Sequence, residues 1–125
     1  MKFIVCLQTP ADSILKGAYD EDLLVENFGI ELFHQPWSDI WFPTDAQFIE
    51  VDKIVERCRV QGMTFVHCTH GQDRTGVWGA LRRVKRQNKS PDEAITEMDK
   101  IGFHNFPYFW WKPLLREAMQ RIQFT

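Results

Sequence analysis

Cys68 and Arg74 are the residues whose types and spacing could do chemistry together; they stand six positions apart in His67-Cys68-Thr69-His70-Gly71-Gln72-Asp73-Arg74-Thr75-Gly76. A β-prone run enters the cysteine, and an apolar helical pattern follows Thr75-Gly76. A strand that ends in a tight loop and passes directly into a helix aims backbone N–H groups, and the positive end of the helix dipole, at one small volume. Such a volume suits a phosphate-sized anion, and the same field favours a thiolate. A free thiol, with a pKa near 8.5, is only about 3% ionised at pH 7, so a nucleophilic cysteine needs that help. Arg74 offers a planar fork for two phosphoryl oxygens, which a lysine cannot match bidentately. Thr75 can donate its hydroxyl to the cysteine sulfur, and His67 and Thr69 can orient the loop from behind. Gly71 and Gly76 permit the tight turn and close helix packing. Thr69, His70, Gly71, Gln72, Asp73 and Arg74 are thus the expected phosphate-binding positions. As metal ligands, His67, Cys68 and His70, with His34 or His104 added, match no common zinc spacing.

The elements that must position this loop follow from periodicity and breakers. Residues 3–7 form a compact apolar run and read as a buried strand, followed by a loop over 9–19. Residues 20–28 begin acidic and end before Gly29, the order of a short helix. Residues 30–34 alternate as a second strand, and 35–43, with two prolines and two tryptophans, are irregular. Thr44-Asp45-Ala46-Gln47 makes a capping box, and Phe48, Val51, Val55 and Cys58 share one helix face that ends near Gly62. Residues 63–67 are the central strand. The helix after the loop runs from Arg74 to about Arg86, with Val77, Leu81 and Val84 inward. Ser90-Pro91-Asp92-Glu93 opens another helix that buries Ala94 or Ile95, Met98 and Ile101 and stops at Gly102. A last helix from about Trp110 buries Leu114 or Leu115, Ala118 and Ile122. The expected fold is α/β: one domain over 1–125 with a small, mostly parallel central sheet flanked by helices.

A chain of 125 residues can bury a core without disulfides or metal. Its charges, 15 basic against 17 acidic, leave a net −2, which gives no global drive toward nucleic acid or an anionic membrane. Three cysteines, an odd count without repeated spacing, argue for a reducing compartment or free thiols and against a disulfide framework. No apolar run reaches the length of a membrane span, and the first residues look like a strand rather than a signal peptide. The expected location is cytoplasmic.

His67-Cys68-x-x-Gly71-x-x-Arg74-Thr75-Gly76 resembles the signature of the cysteine-dependent protein tyrosine and dual-specificity phosphatases, and the similarity extends from the strand at Ile4 to the helix at Met98. The resemblance implies a two-step reaction in which the Cys68 thiolate attacks phosphorus and a cysteinyl-phosphate is then hydrolysed, with no metal or cofactor. It also implies an upstream acid. Asp39 lies 29 positions before Cys68, and Trp37-Ser38-Asp39 is similar to the Trp-Pro-Asp of the tyrosine-specific branch. Asp45, in a first helical turn, and Asp73, inside the loop, are its rivals. Relatives usually carry a strand or hairpin before the one at Phe3, so the sheet is expected to lack those strands or to be completed by another segment. Some relatives pair a cysteine at the place of Cys6 with the nucleophile in a reversible disulfide; plain core packing is the alternative, and Cys58 reads as helix packing.

The expected substrate is a phosphorylated protein, at phosphotyrosine and also phosphoserine or phosphothreonine. The same chemistry on an inositol phosphate, a phosphoinositide or an RNA 5′-triphosphate is the alternative, and a catalytically silent phosphate-binding module is the non-enzymatic one. The basic run Arg82-Arg83-Lys85-Arg86-Lys89 reads as a solvated outer helix face, or else as a polyanion patch. Phe103, Phe106, Tyr108, Phe109, Trp110 and Trp111 read as packing for the last helix, or as a hydrophobic rim for an aryl phosphate or a partner.

Overall fold

A computed structural model of the chain describes residues 2–9, 29–68 and 72–124. The helix expected over 20–28 lies outside the described residues. Among the described residues three strands, β1 (Lys2–Cys6), β2 (Glu31–His34) and β3 (Met63–His67), and four helices, α1 (Asp45–Arg59), α2 (Arg74–Gln87), α3 (Pro91–Ile101) and α4 (Trp111–Arg121), follow one another in the order β1-β2-α1-β3-α2-α3-α4. The sheet order is β2-β1-β3 and both pairings are parallel. This is the expected α/β architecture with a small parallel sheet.

Parallel register matters for the site because it brings all strand C-termini to one edge of the sheet. Cys6 pairs with His34 on one side and His67 on the other. Beyond that row the chains stay joined: Leu7 N–H donates to His67 O at 2.8 Å, and Trp37 N–H donates to Leu7 O at 3.0 Å. The loops after all three strands therefore leave from one line.

Phe3, Val5 and Leu7 of the β1 segment are buried with Phe48, Val51, Ile54, Val55 and Cys58 of α1 and Val77, Ala80 and Leu81 of α2. On α3 both Ala94 and Ile95 are buried, with Met98. On α4 the inward leucine is Leu115, with Ala118 buried beside it, whereas Leu114 is exposed. Ile101 departs from the expectation: it is exposed. Gly102 takes a left-handed conformation (φ 117°) and ends the helix, and Phe103, whose N–H returns to Met98 O at 3.3 Å, fills the core position instead. That is the hydrogen bond of a glycine C-cap, and glycine is the residue that adopts this φ without strain.

The helix starts follow their sequence signals. Thr44 accepts from Gln47 N–H at 3.2 Å, while the Gln47 side chain accepts from Thr44 N–H at 2.8 Å. Ser90 accepts from Glu93 N–H at 3.1 Å. A close approach explains Gly76: a Cβ there would stand 3.3 Å from Met98 Cγ, so its absence lets α2 and α3 meet.

The three arginines of the basic run are paired with carboxylates of the neighbouring helices. Arg86 donates to both oxygens of Asp52 on α1, at 2.6 Å and 3.3 Å, and Arg82 reaches Glu56 at 2.8 Å and Asp52 at 3.4 Å. Arg83 pairs with Glu97 on α3 at 2.8 Å. Asp52 is buried, so its charge is tolerable only because two guanidinium groups meet it. Periodicity shows that these arginines lie outside the apolar stripe; only the packing of α1 and α3 against α2 shows what they face.

The described sheet ends at β3, where Met63 and Phe65 are exposed. Among the described residues no helix is long and apolar enough to cross a membrane.

Candidate active site

Cys68 follows β3 immediately and is buried, and Arg74 opens α2 and is buried as well. Between them, Thr69, His70 and Gly71 lie outside the described residues. The Arg74 guanidinium turns toward the sheet edge: one terminal nitrogen, Nη1, donates to Trp37 O at 3.1 Å and to Leu7 O at 3.5 Å. It thereby joins the loop after β3 to the segments after β1 and β2. A side chain fixed at that terminal nitrogen keeps a defined orientation for its remaining N–H groups.

The Thr75 hydroxyl oxygen is buried and has no hydrogen-bond partner among the described residues. An unspent donor beside the strand–helix junction fits the expected task of donating to sulfur. His67 Nδ1 lies 3.3 Å from Cys68 O, and its ring stacks on Phe65 with centroids 5.9 Å apart. No disulfide joins Cys6, Cys58 and Cys68. Cys6 Sγ approaches Gln8 Oε1 at 3.7 Å. Burial pushes the Cys58 thiol above its usual pKa, in keeping with a core role.

The three acid candidates are separated by their surroundings. Asp45 is committed: Arg121 of α4 donates to both its oxygens at 2.7 Å, and these hydrogen bonds hold its carboxyl below the usual range. Asp73 is engaged by His104, through the backbone N–H at 2.9 Å and through ring Nδ1 at 3.0 Å from each carboxylate oxygen. Asp39 is exposed and makes no hydrogen bond or ion pair among the described residues. It sits at the tip of a segment pinned on both sides. Trp37, buried, packs edge-on against Phe48 at 5.1 Å, and Phe42 packs between Phe48 and Trp111. Ser38 Oγ accepts from the N–H groups of Ile40 and Trp41, at 3.1 Å and 3.0 Å, which folds the tip. The indole N–H of Trp111 holds Ile40 O at 3.1 Å.

Sequence reasoning missed His104 as a partner of the loop. It stands in an exposed turn with no local pattern, and only the chain reversal after Gly102 carries it to Asp73. The aromatic cluster divides: Phe103 and Trp111 are buried, whereas Phe106 and Phe109 are exposed. Among the described residues no group of three or more His, Cys, Asp and Glu side chains could hold a metal ion.

No protein-family model matches the chain. The dual specificity protein phosphatase TpbA of Pseudomonas aeruginosa (strain UCBPP-PA14) is 32% identical over 59 residues, which cover 47% of this chain and 27% of TpbA. The match thus spans about a quarter of that relative's length. The solved structure of Tk-PTP in its active form has a TM-score of 0.78, covering 97% of this chain and 80% of that one at 24% identity. P. aeruginosa TpbA in complex with pTyr has a TM-score of 0.69, over 97% and 74% of the two chains at 19% identity. PTPMT1 in complex with PI(5)P has the same TM-score, 0.69, over 97% and 80% at 17% identity. Over the matched stretch the sequence is similar to that of a dual specificity protein phosphatase, and over nearly its whole length the fold is similar to that of Tk-PTP.

Proposed function

We propose that this chain is a phosphatase that hydrolyses phosphate monoesters through a cysteinyl-phosphate, with phosphotyrosine in proteins as the leading substrate and phosphoserine or phosphothreonine as further ones. The observation that carries the reading is the buried Arg74, anchored on Trp37 O and Leu7 O at the start of the helix that follows Cys68. A guanidinium at the N-terminus of the helix that follows a buried thiol supports the reading of an anion site there.

In the first step the Cys68 thiolate attacks phosphorus, an S–P bond forms and the ester P–O bond breaks. Asp39 gives its proton to the departing oxygen. In the second step Asp39 takes a proton from water, the water oxygen bonds to phosphorus and the S–P bond breaks. The Thr75 hydroxyl stabilises the returning thiolate, and Arg74 with the loop amides holds the equatorial oxygens throughout. Thr69, His70, Gly71, Gln72 and Asp73 complete the phosphate-binding loop, supported by His67. The reaction needs no cofactor, and a reducing, cytoplasmic setting suits its thiolate.

The first test is turnover of a generic aryl phosphate by the purified protein. Hydrolysis no greater than that of a Cys68→Ser control would sink the enzyme reading and leave a phosphate-binding module. A second substrate reading, an inositol phosphate or phosphoinositide, is favoured by the likeness of fold to PTPMT1 bound to PI(5)P. Comparing phosphopeptides, inositol phosphates and 5′-triphosphorylated RNA as substrates decides between these classes.

A further inference from the structure

Asp73 immediately precedes Arg74 and stands at the N-cap of α2, yet its side chain makes no capping hydrogen bond to that helix. Its carboxylate is taken instead by His104, 31 positions along the chain, through the backbone N–H and through Nδ1, which is equidistant from both oxygens at 3.0 Å. A carboxylate oxygen accepts, so Nδ1 is the donor in this contact. One residue earlier, Gln72 leans on the same turn. It lies so near Gly102 that a Cβ there would stand 2.6 Å from Gln72 Nε2. Two consecutive loop residues thus rest on the turn between α3 and α4.

The main chain makes this support consequential. Asp73 O accepts from Val77 N–H at 2.9 Å, the first hydrogen bond of α2. Whatever holds Asp73 holds the base from which the Arg74 side chain extends. Charge points the same way: a carboxylate beside an anion site repels the anion, and donors on both its oxygens draw that charge toward the turn.

We propose that His104 is a positioning residue for the phosphate site, acting through the Asp73 carboxylate to hold Arg74 in register for a tetrahedral oxyanion. The turnover part of this assignment rests on the phosphatase reading; the binding part does not. Two measurements therefore run side by side, inorganic phosphate titration followed by NMR shifts and hydrolysis of para-nitrophenyl phosphate.

His104→Leu removes the ring donor at similar volume, and His104→Gln places a donor at the wrong atom. His104→Asn keeps one near the position of Nδ1. The expected result is about tenfold weaker phosphate binding and kcat/KM in the Leu and Gln variants, with recovery to within about twofold in His104→Asn. Asp73→Ala combined with His104→Leu should lose no more than the worse single variant, since both remove one interaction. Equal phosphate binding in all four proteins overturns the proposal, as do losses that multiply in the double variant. His104 is half-exposed, so these variants should melt near the wild type; unfolding of both Leu and Gln variants would also refute a local positioning role. A wild type that binds phosphate without hydrolysing the ester removes the phosphatase reading and leaves the binding comparison to decide about His104.

Discussion

Arg74 donates to the main-chain carbonyl of Trp37 across 3.1 Å. This one bond ties the residue expected to grip phosphate to the segment that carries Asp39, two positions further on. Trp37 is in turn locked in the core against Phe48. The two halves of the proposed chemistry are therefore set by one buried contact rather than by two independent loops.

Replacing Arg74 by lysine keeps a positive charge and removes the fork. A lysine has no second nitrogen to offer phosphate while the first holds a carbonyl. Arg74→Lys should lower kcat/KM for an aryl phosphate by about 10²–10³-fold, the scale seen when one preorganised donor is lost. Steady-state kinetics check this, and undiminished activity would show that charge alone suffices.

Asp39→Asn should reveal itself through the leaving group. With a poor leaving group such as phosphotyrosine, kcat should fall by about 10²–10³-fold, and much less with an activated aryl phosphate. Equal losses on both would assign Asp39 a structural role and return attention to Asp73.

Asp52→Ala should destabilise the fold without touching the chemistry. It removes the buried carboxylate between Arg82 and Arg86 and leaves Glu56 as their shared partner, at a cost of about 2 kcal/mol. Urea unfolding measures this, and kcat below the transition should stay at the wild-type value.

Acid should weaken the fold through two carboxylates. Hydrogen bonds from Arg121 lower the Asp45 pKa. At Glu56 burial pushes the pKa up, but hydrogen bonds from Arg59 and Arg82 outweigh it and the net direction is down. A carboxyl whose folded pKa lies below its unfolded one contributes stability that is present above the unfolded value and lost as pH falls through the folded value. The ordinary values are 3.8 for an Asp and 4.5 for a Glu carboxyl, so the loss falls below the mid-fours. Arg121→Ala and Arg82→Ala should melt below the wild type at pH 7 and approach it on acidification; a gap that stays constant as the pH falls would assign the loss to packing.

Gly102→Ala should damage both fold and site. Its φ of 117° strains any side chain, and the new Cβ would displace Gln72 from its resting place. A loss of more than about 1 kcal/mol in stability is expected, together with weaker phosphate binding. Lost stability with unchanged binding would separate the turn from the loop.

The sequence alone determined the local facts: where the helices start, most of the residues they turn inward (Ile101 excepted), and that a strand, a cysteine, an arginine and a helix follow one another at phosphate-loop spacing. Capping boxes, glycine stops and apolar periodicity depend on residues within about one or two turns, so a linear reading reaches them. Only the tertiary structure decided what meets across the chain. Asp45 found Arg121, Asp73 found His104, and the basic face of α2 found Asp52 and Glu56, all between residues at least 26 positions apart. A carboxylate looks the same in a sequence whether solvent, an arginine or a phosphate will face it. The parallel register and the turn after Gly102 made that choice, and they left Asp39 exposed among the three acids.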